Sequence, residues 1–409
     1  MTGAMYAGIA GLRTHMQNLN VIGNNVANVN TTAYKAGRSV FRTSIYTTTT
    51  GGSNGTAVVG GVNPTQIGYG STMTNVDIDM STGNYNVTGS STDMMIDGDG
   101  FFLVGDKTIP KNYDGTAQND KDAISALTLT RTGNFNFKAD GYLTDGGGNV
   151  VYGFICVGKD MNGDAVFSDQ LVPIRFPRVY TAIEGTGADA TEVIKIGYCR
   201  AGGGIAADDV LGGENAGDAN VTIPTEGRIM DYGTTSLDQE SEYAMAQFTG
   251  ITVDKQTGII TATSNDRNDE VITIGRIAIG TVTNPNGVTQ VGDTYYKAQE
   301  GAGDLAITAL GGTSNLKDVT GNVITHINKS LAPDNDAADG DAAPGSPKDP
   351  LRIRSTSKTS LLPGGLEMSK TDLAQEIANM ILTQRGYQAN TRIITVTDSM
   401  LEELVNMKR

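Results

Sequence analysis

The sequence predicts an α+β chain that is mainly β, with discontinuous β domains in the middle and a long α-helix at each end. Three observations predict it. Near the N-terminus Met5, Ile9, Leu12, Met16 and Leu19 step by four, three, four and three residues, the spacing of a coiled-coil-like seam. Near the C-terminus Leu366, Leu373, Met380, Tyr387, Ile394 and Leu401 recur every seventh residue. Between the ends, short alternating runs are separated by Gly-, Asn- and Asp-rich turns. With 53 Gly, no Trp and 6% aromatic residues, the composition favours strands and turns over a large helical enzyme core; 38% hydrophobic residues still suffices for folding.

The N-terminal helix weakens along its own length. Gly23 takes the next seam position after Leu19, and Val26 resumes the pattern. Glycine costs roughly 1 kcal/mol relative to alanine inside a helix. Asn18, Asn20, Asn24, Asn25, Asn28 and Asn30 fill the gaps, and asparagine side chains compete for backbone hydrogen bonds. Residues 43–66, "TSIYTTTTGGSNGTAVVGGVNPTQ", read as a Thr/Gly-rich loop. "MMIDGDGFFLVGD" reads as a hairpin about Asp97-Gly98-Asp99-Gly100. Strand patterns follow in "LTLTRTGNFNFKADGYLTDGGGNVVYGF", "FTGITVDKQTGIITATS" and "VITIGRIAIGTVTNPNG". Residues 331–350 are acidic and Pro-rich, as in a solvated loop.

At the C-terminus, Ser369 with Asp372 three residues on gives a capping-box pattern. A helix from Asp372 to Met407 would be about 54 Å long at 1.5 Å per residue, too long to pack only on its own small domain. Its companion seam position reads Ile377, Gln384, Thr391, Asp398 and Val405, apolar at both ends and polar between. The two terminal helices either pair within one molecule, in parallel or antiparallel, or stand apart. In both cases their remaining faces are available to neighbouring copies, and polar seam positions favour one register over others.

The net charge of −15 is unevenly placed. Residues 1–76 hold four bases (Arg13, Lys35, Arg38, Arg42) and no acid, and residues 354–409 hold seven bases and six acids, which leaves −20 for the middle. A polyanionic body argues against nucleic acid or an anionic membrane as partner. No run reaches the roughly 20 apolar residues that span a bilayer, and the N-terminus lacks the basic-then-apolar pattern of a cleaved signal peptide. Cys156 and Cys199 are the two cysteines, read as isolated thiols rather than a disulfide. His15 and His326 are far apart, without Cys or His at metal-ligand spacing, and His15 lies off the helical stripe as an exposed residue or a contact to a neighbour. No phosphate loop occurs, and Asp97-Gly-Asp99-Gly lacks the remaining ligands of a calcium loop. The expectation is therefore a non-enzyme with no catalytic residues, no cofactor and no metal.

Both ends then match a known pattern. "GLRTHMQNLNVIGNNVANVNTTAYKAGRSVF" resembles the N-terminal signature of the bacterial flagellar rod and hook protein family, and "GGLEMSKTDLAQEIANMILTQRGYQANTRIITVTDSMLEELVNMKR" resembles its C-terminal signature. "NPTQIGYGSTM", "MMIDGDGFFLV", "RTGNFNFKADGYLTD" and "GRIAIGTVTNPNGVTQVGDTYY" are similar to its β-region, in the expected order. The chain's length and a body at 151–246 without family motifs look like the hook members, rather than the shorter rod members.

The resemblance implies that the terminal helices form the inner core of a helical tube, curved and flexible, that carries torque from rod to filament. It implies four regions: a terminal helical core (1–33 with 366–409), a connector (34–71 with 353–365), an inner β domain (72–150 with 247–352) and an inserted outer β domain (151–246). Inner-tube packing is expected from Ile9, Leu12, Met16, Leu19, Ile22, Asn24, Asn25, Val26 and Asn28, and from Leu373, Ile377, Met380, Gln384, Tyr387, Ile394, Leu401 and Val405. The implied partners are further copies of the chain, the distal rod protein, the hook cap, the hook–filament junction protein and the export apparatus, at an extracellular flagellar location. Two rivals share parts of this pattern: a distal rod protein with an insertion, and a secreted β-rich adhesin or carbohydrate-active enzyme with helical ends. For a chain exported unfolded, Asn-rich ends that order only on assembly are an advantage.

Overall fold

A computed structural model describes residues 2–55, 60–106, 127–159, 165–167, 171–176, 178–184, 191–197, 244–245, 248–264, 270–292, 294–303, 305–310, 353–356 and 359–407. The fold is mostly β with a helix at each end. The chain divides into two compact units: Met1–Ser81 with Ser369–Arg409, and Thr82–Met368.

In the first unit, helix α1 (Thr2–Ala27) is followed by strands β1 (Gly37–Thr43), β2 (Tyr46–Thr50), β3 (Thr65–Gly68) and β4 (Ser71–Ile78), and the unit closes with helix α2 (Leu373–Met407). α1 continues through Asn18, Asn20, Asn24 and Asn25 and ends at Ala27, before Asn28 and Asn30, and the cluster's side chains take up the bonding described below. β1 and β4 pair antiparallel and pack on α1, where Thr14 Oγ1 donates to Ser71 O at 2.9 Å. The stretch 43–66, expected as a loop, instead contains two paired strands. β2 and β3 run antiparallel, with an isolated bridge from Ser53 to Val62 beyond them. Threonine suits a pleated backbone, and the Gly-rich composition suggested a loop because every side chain of β2 and β3 is exposed.

The capping pattern also shifts. Asp372, not Ser369, caps α2: its Oδ1 accepts from Ala374 N at 3.0 Å and Gln375 N at 3.2 Å. Ser369 Oγ accepts from Thr371 N one turn earlier. An N-cap accepts from the second or third helical N–H, which fixes Leu373 as the first helical residue.

The second unit is built of short strands: β5 (Tyr85–Val87), β6 (Met94–Asp97), β7 (Phe101–Gly105), β8 (Thr128–Thr130), β9 (Asn136–Phe137), β10 (Leu143–Thr144), β11 (Val150–Lys159), β12 (Ala165–Phe167) and β13 (Val172–Pro173). They continue as β14 (Arg178–Glu184), β15 (Thr191–Gly197), β16 (Ala244–Met245), β17 (Phe248–Val253), β18 (Ile259–Ser264), β19 (Glu270–Val282), β20 (Thr289–Gln290), β21 (Tyr295–Lys297), β22 (Leu305–Leu310), β23 (Ile353–Thr356), β24 (Ser360–Pro363) and β25 (Gly365–Glu367). The principal sheet runs β17-β18-β19-β11-β7-β8-β21-β20 with further strands at its margins, and β14 separately joins β15 and β16. β11 runs through the point where the inserted segment is expected to begin. The long β19 changes partner along its length, pairing with β18, then β11, then β7 and β22.

The core gathers Met94, Ile96, Phe102, Phe135, Val151, Ile174, Ile277 and Leu361. Phe102 and Phe135 meet edge to face at 4.9 Å, and Phe137 stacks on Phe176 at 3.9 Å. Each fully buried large apolar side chain of this kind contributes roughly 1.5–3 kcal/mol.

The expected hairpin at Asp97–Gly100 is not one. β6 pairs with β24, whereas β7 pairs with β8, β11 and β19, so the turn passes the chain from one sheet to another. Gly98 and Gly100 have φ of 119° and 131°, and a Cβ on Gly100 would lie 2.4 Å from Ile279. The Asp-Gly signal marked a turn, and tight packing against β19 decided where it leads. The expected solvated loop at 331–350, His326, Cys199 and most of 151–246 lie outside the described residues. Cys156 is buried in β11.

Candidate assembly surface

α1 carries Gly8, Gly11, His15, Asn18, Ile22 and Asn25 along one line, spaced by three and four. This line faces α2. His15 lies against Gly386, Asn18 Nδ2 donates to Thr383 Oγ1 at 2.9 Å, and Asn25 Nδ2 donates to Glu376 Oε1 at 3.2 Å. The residue numbers of each pair total 401, so the helices are antiparallel in a fixed register. Glycines let the backbones approach: a Cβ on Gly11 would lie 2.8 Å from Asn390 Nδ2, and one on Gly386 would lie 2.6 Å from His15 Cε1. His15, expected exposed or against a neighbour, is thus half-buried in this seam. Its Nδ1 has no hydrogen-bond partner among the described residues.

The asparagines hold the helices and the β1–β4 pair together. Asn25, 1% exposed, donates to Gly37 O at 2.8 Å as well as to Glu376, and its Oδ1 accepts from Gly37 N at 2.9 Å and Tyr34 Oη at 3.1 Å. That is the full capacity of a carboxamide. Asn18 Oδ1 accepts from Ser39 Oγ. Asn24 Nδ2 donates to Tyr34 Oη at 3.1 Å, and Asn28 Nδ2 to Asn24 O at 2.9 Å. Burial, together with the Glu376 carboxylate, pushes the Tyr34 phenol above its ordinary range.

The sequence-expected packing residues divide between this seam and the outside. Ile22 and Asn25 are buried, and Leu12, Leu19, Val26, Asn28, Met380, Tyr387, Ile394 and Leu401 are half-buried. Ile9, Met16, Asn24, Leu373, Ile377, Gln384 and Val405 are exposed. The companion line from Ile377 to Val405 faces outward; the positions that accompany Met380, Tyr387, Ile394 and Leu401 on the shielded side are Glu376, Thr383, Asn390 and Thr397. Gly8, Gly11, Thr14, Asn18, Tyr34 and Gly386 escaped sequence reasoning because small and polar residues carry no periodic apolar signal. The Gly8-x-x-Gly11 spacing was the available clue.

What remains outside is strongly apolar. Tyr6, Ile9 and Met16 of α1 are exposed, as are Leu373, Ile377, Ile381, Leu382, Ile393, Val396, Met400, Leu404, Val405 and Met407 of α2. Extended apolar surface of this kind marks interaction sites. No helix among the described residues is long and apolar enough to cross a membrane, and no group of three or more potential metal-ligating side chains occurs among them.

A second convergence lies in the β unit. The Arg131 guanidinium, 2% exposed, lies 3.7 Å from Glu367, donates to Gly98 O at 2.8 Å and covers the Phe101 ring at 5.5 Å. Glu367 Oε1 accepts from Gly83 N at 2.6 Å. Burial lowers the Arg131 pKa, and the Glu367 carboxylate opposes that shift. Gly133 O accepts from Met94 N at 3.0 Å, where a Cβ would lie 1.5 Å from Met94 O. Three stretches distant in sequence, "IDGDGFF", "RTGNF" and "GGLE", therefore meet at one buried ion pair.

Comparison with known proteins gives two family matches. Residues 5–35 match the family described as "Flagella basal body rod protein", and residues 362–407 match "Flagellar basal body rod FlgEFG protein C-terminal". The matched segments contain nearly all of α1 and α2. The chain is 27% identical over 412 residues to the flagellar basal-body rod protein FlgG of Bacillus subtilis, covering 100% of both chains. It is 27% identical over 509 residues to the flagellar hook protein FlgE of Borreliella burgdorferi, again covering 100% of both. The hook protein FlgE of Treponema pallidum is also 27% identical, over 498 residues and all of both chains. The two ends of the chain thus match models of the flagellar basal-body rod protein family, and relatives named for the flagellar rod and hook align with it throughout its length.

Proposed function

We propose that this chain is a structural subunit of the bacterial flagellar hook, which self-assembles into a curved, flexible tube transmitting torque from rod to filament. One observation carries the reading: the two segments matched by the family are the two helices whose outer faces are apolar and exposed. The outward residues Ile9, Met16, Leu373, Ile377 and Val405 pack on neighbouring copies in the inner tube, and Leu12, Leu19, Ile22, Val26, Met380, Tyr387, Ile394 and Leu401 hold the pair that presents them. Residues 34–71 with 353–365 act as connector, and 72–150 with 247–352 and 151–246 as β domains stacked outward. The −20 of residues 77–353 keeps outer surfaces wet and able to slide during bending. The distal rod protein, cap, junction protein and export apparatus are the expected partners at the flagellum.

The full-length match to a protein named for the rod keeps one second reading, a distal rod subunit with an insertion. Electron microscopy of polymer grown from the purified chain separates them. Curved tubes support the hook, straight stiff tubes support the rod, and absence of any ordered polymer overturns both.

A further inference from the structure

The fixed register of the helix pair leaves α2 longer than its partner. Because facing residue numbers total 401, residues from Met400 onward have no α1 residue opposite them. This overhang carries Met400, Leu404 and Met407 at one helical face (i, i+4, i+7), 49%, 41% and 75% exposed. Glu403 lies beside them. From Met400 to Met407 the overhang has two carboxylates, Glu402 and Glu403, and no base, and Lys408 and Arg409 follow.

In the same unit, a groove of about 400 Å³ lies between the N-terminal half of α1 and the β2 end, lined by Tyr6, Ile9, Ala10, Arg13, Ile45 and Tyr69. Tyr6 and Ile45 are each 67% exposed. Arg13 is exposed and has no ion pair among the described residues, and residues 1–76 contain no acid to provide one.

We propose that the groove receives the α2 overhang of a second copy of the chain, with Met400, Leu404 and Met407 in the apolar floor and Glu403 against Arg13. The proposal rests on the self-assembly reading and names one contact within it. Charge complementarity selects the occupant: an apolar helix face flanked by the Glu403 carboxylate matches an apolar groove flanked by the Arg13 cation. The overhang cannot fill its own groove, because α2 is one continuous helix leading away past the start of α1. Groove and overhang are different patches of one chain, so their union is heterologous and propagates from copy to copy into an open polymer instead of closing on a dimer.

The test is a charge-reversal cycle on the full chain, read as the critical concentration for polymer formation. Arg13→Glu and Glu403→Arg are each expected to raise it about fivefold, and the double variant to return it near wild type. Circular dichroism of each soluble variant checks folding. As a second measurement, a photo-crosslinking amino acid at Ile45 is expected to capture the Ile393–Lys408 tryptic peptide of another copy, identified in mixtures of isotope-labelled and unlabelled chain. If wild type polymerises while both single variants leave the threshold unchanged, or the crosslink maps elsewhere, this contact is overturned and self-assembly stands. If wild type forms no polymer, the self-assembly reading falls and takes the contact with it.

Discussion

Asn25 joins three parts of the chain through one side chain: its own helix, the first residue of β1 and the first turn of α2. Asn25→Ala leaves Gly37 N–H and O without those bonds and is expected to lower stability by about 2–4 kcal/mol, measured by chemical denaturation. Two glycines give opposite signs. At Gly23 a Cβ would meet nothing within 4 Å, so Gly23→Ala is expected to gain up to about 1 kcal/mol. At Gly386 it would strike the His15 ring, so Gly386→Ala is expected to cost about 1–3 kcal/mol. Thermal melts of both variants check the contrast. Tyr34 adds a pH dependence. Its raised pKa means its contribution is full below about pH 10, the ordinary phenol value, and is lost as pH rises through the folded-state value. Tyr34→Phe should flatten that alkaline limb. The run of asparagines was legible in the sequence as a weakened helix; its purpose was not, because hydrogen bonds to Gly37, Ser39 and Thr383 join residues that only the tertiary fold brings together.

At the scale of elements, heptad spacing located both helices but not the faces they share. Periodicity reports where apolar residues repeat and says nothing of which partner they meet. Here glycine, asparagine and threonine meet within the molecule, and most of the long apolar side chains stay outside. The α2 start at Leu373 depends on Asp372, and Asp372→Ala is expected to cost about 1 kcal/mol of helix stability, seen as fraying in amide exchange over the first turn. In the β unit, the buried pair behaves differently. Arg131→Met or Glu367→Leu alone strands a charge and is expected to destabilise by about 3–5 kcal/mol, while the double variant recovers much of the loss. Denaturation of all three variants measures the coupling. Strand patterns were legible for β17, β18 and β19. The route after Asp97–Gly100 was not, since a turn signal does not specify which sheet receives the next strand.

For the whole molecule, the two units predict a pattern of proteolysis. The β unit has a dry core, whereas the terminal unit relies on a polar seam with apolar surface outside it. Limited digestion of the unassembled chain is expected to remove residues from both helices while a fragment near 82–368 survives. Equal resistance of the ends would show that they are stably paired before assembly. Acid should act on turns of both units. Hydrogen bonds from Ser81 and Thr257 hold the Asp79 and Asp254 carboxylates below their ordinary pKa. Their contribution is therefore full above about pH 4 and is lost as pH falls through the lower folded-state values. A β-rich body between two helices was visible in the sequence because composition and periodicity are bulk signals. The boundary of the two units was not, since it depends on which strands pack on α1.

The β2–β3 arm has a consequence of its own. Neither face is buried, so no core fixes its alignment, and Thr47 through Thr50 are four identical side chains in a row. A slip of two residues would set Thr48, Thr49 and Thr50 opposite Gly68, Ile67 and Gln66, leave Tyr46 and Thr47 unpaired, and displace the irregularity between Thr48 and Thr50. Such a step is about 6.8 Å long, and amide exchange in this unburied ladder should outpace that of β1. What holds the arm in its register is therefore its base, where Ser44 N donates to Gly70 O at 2.8 Å and Tyr69 N donates to Ile45 O at 2.9 Å.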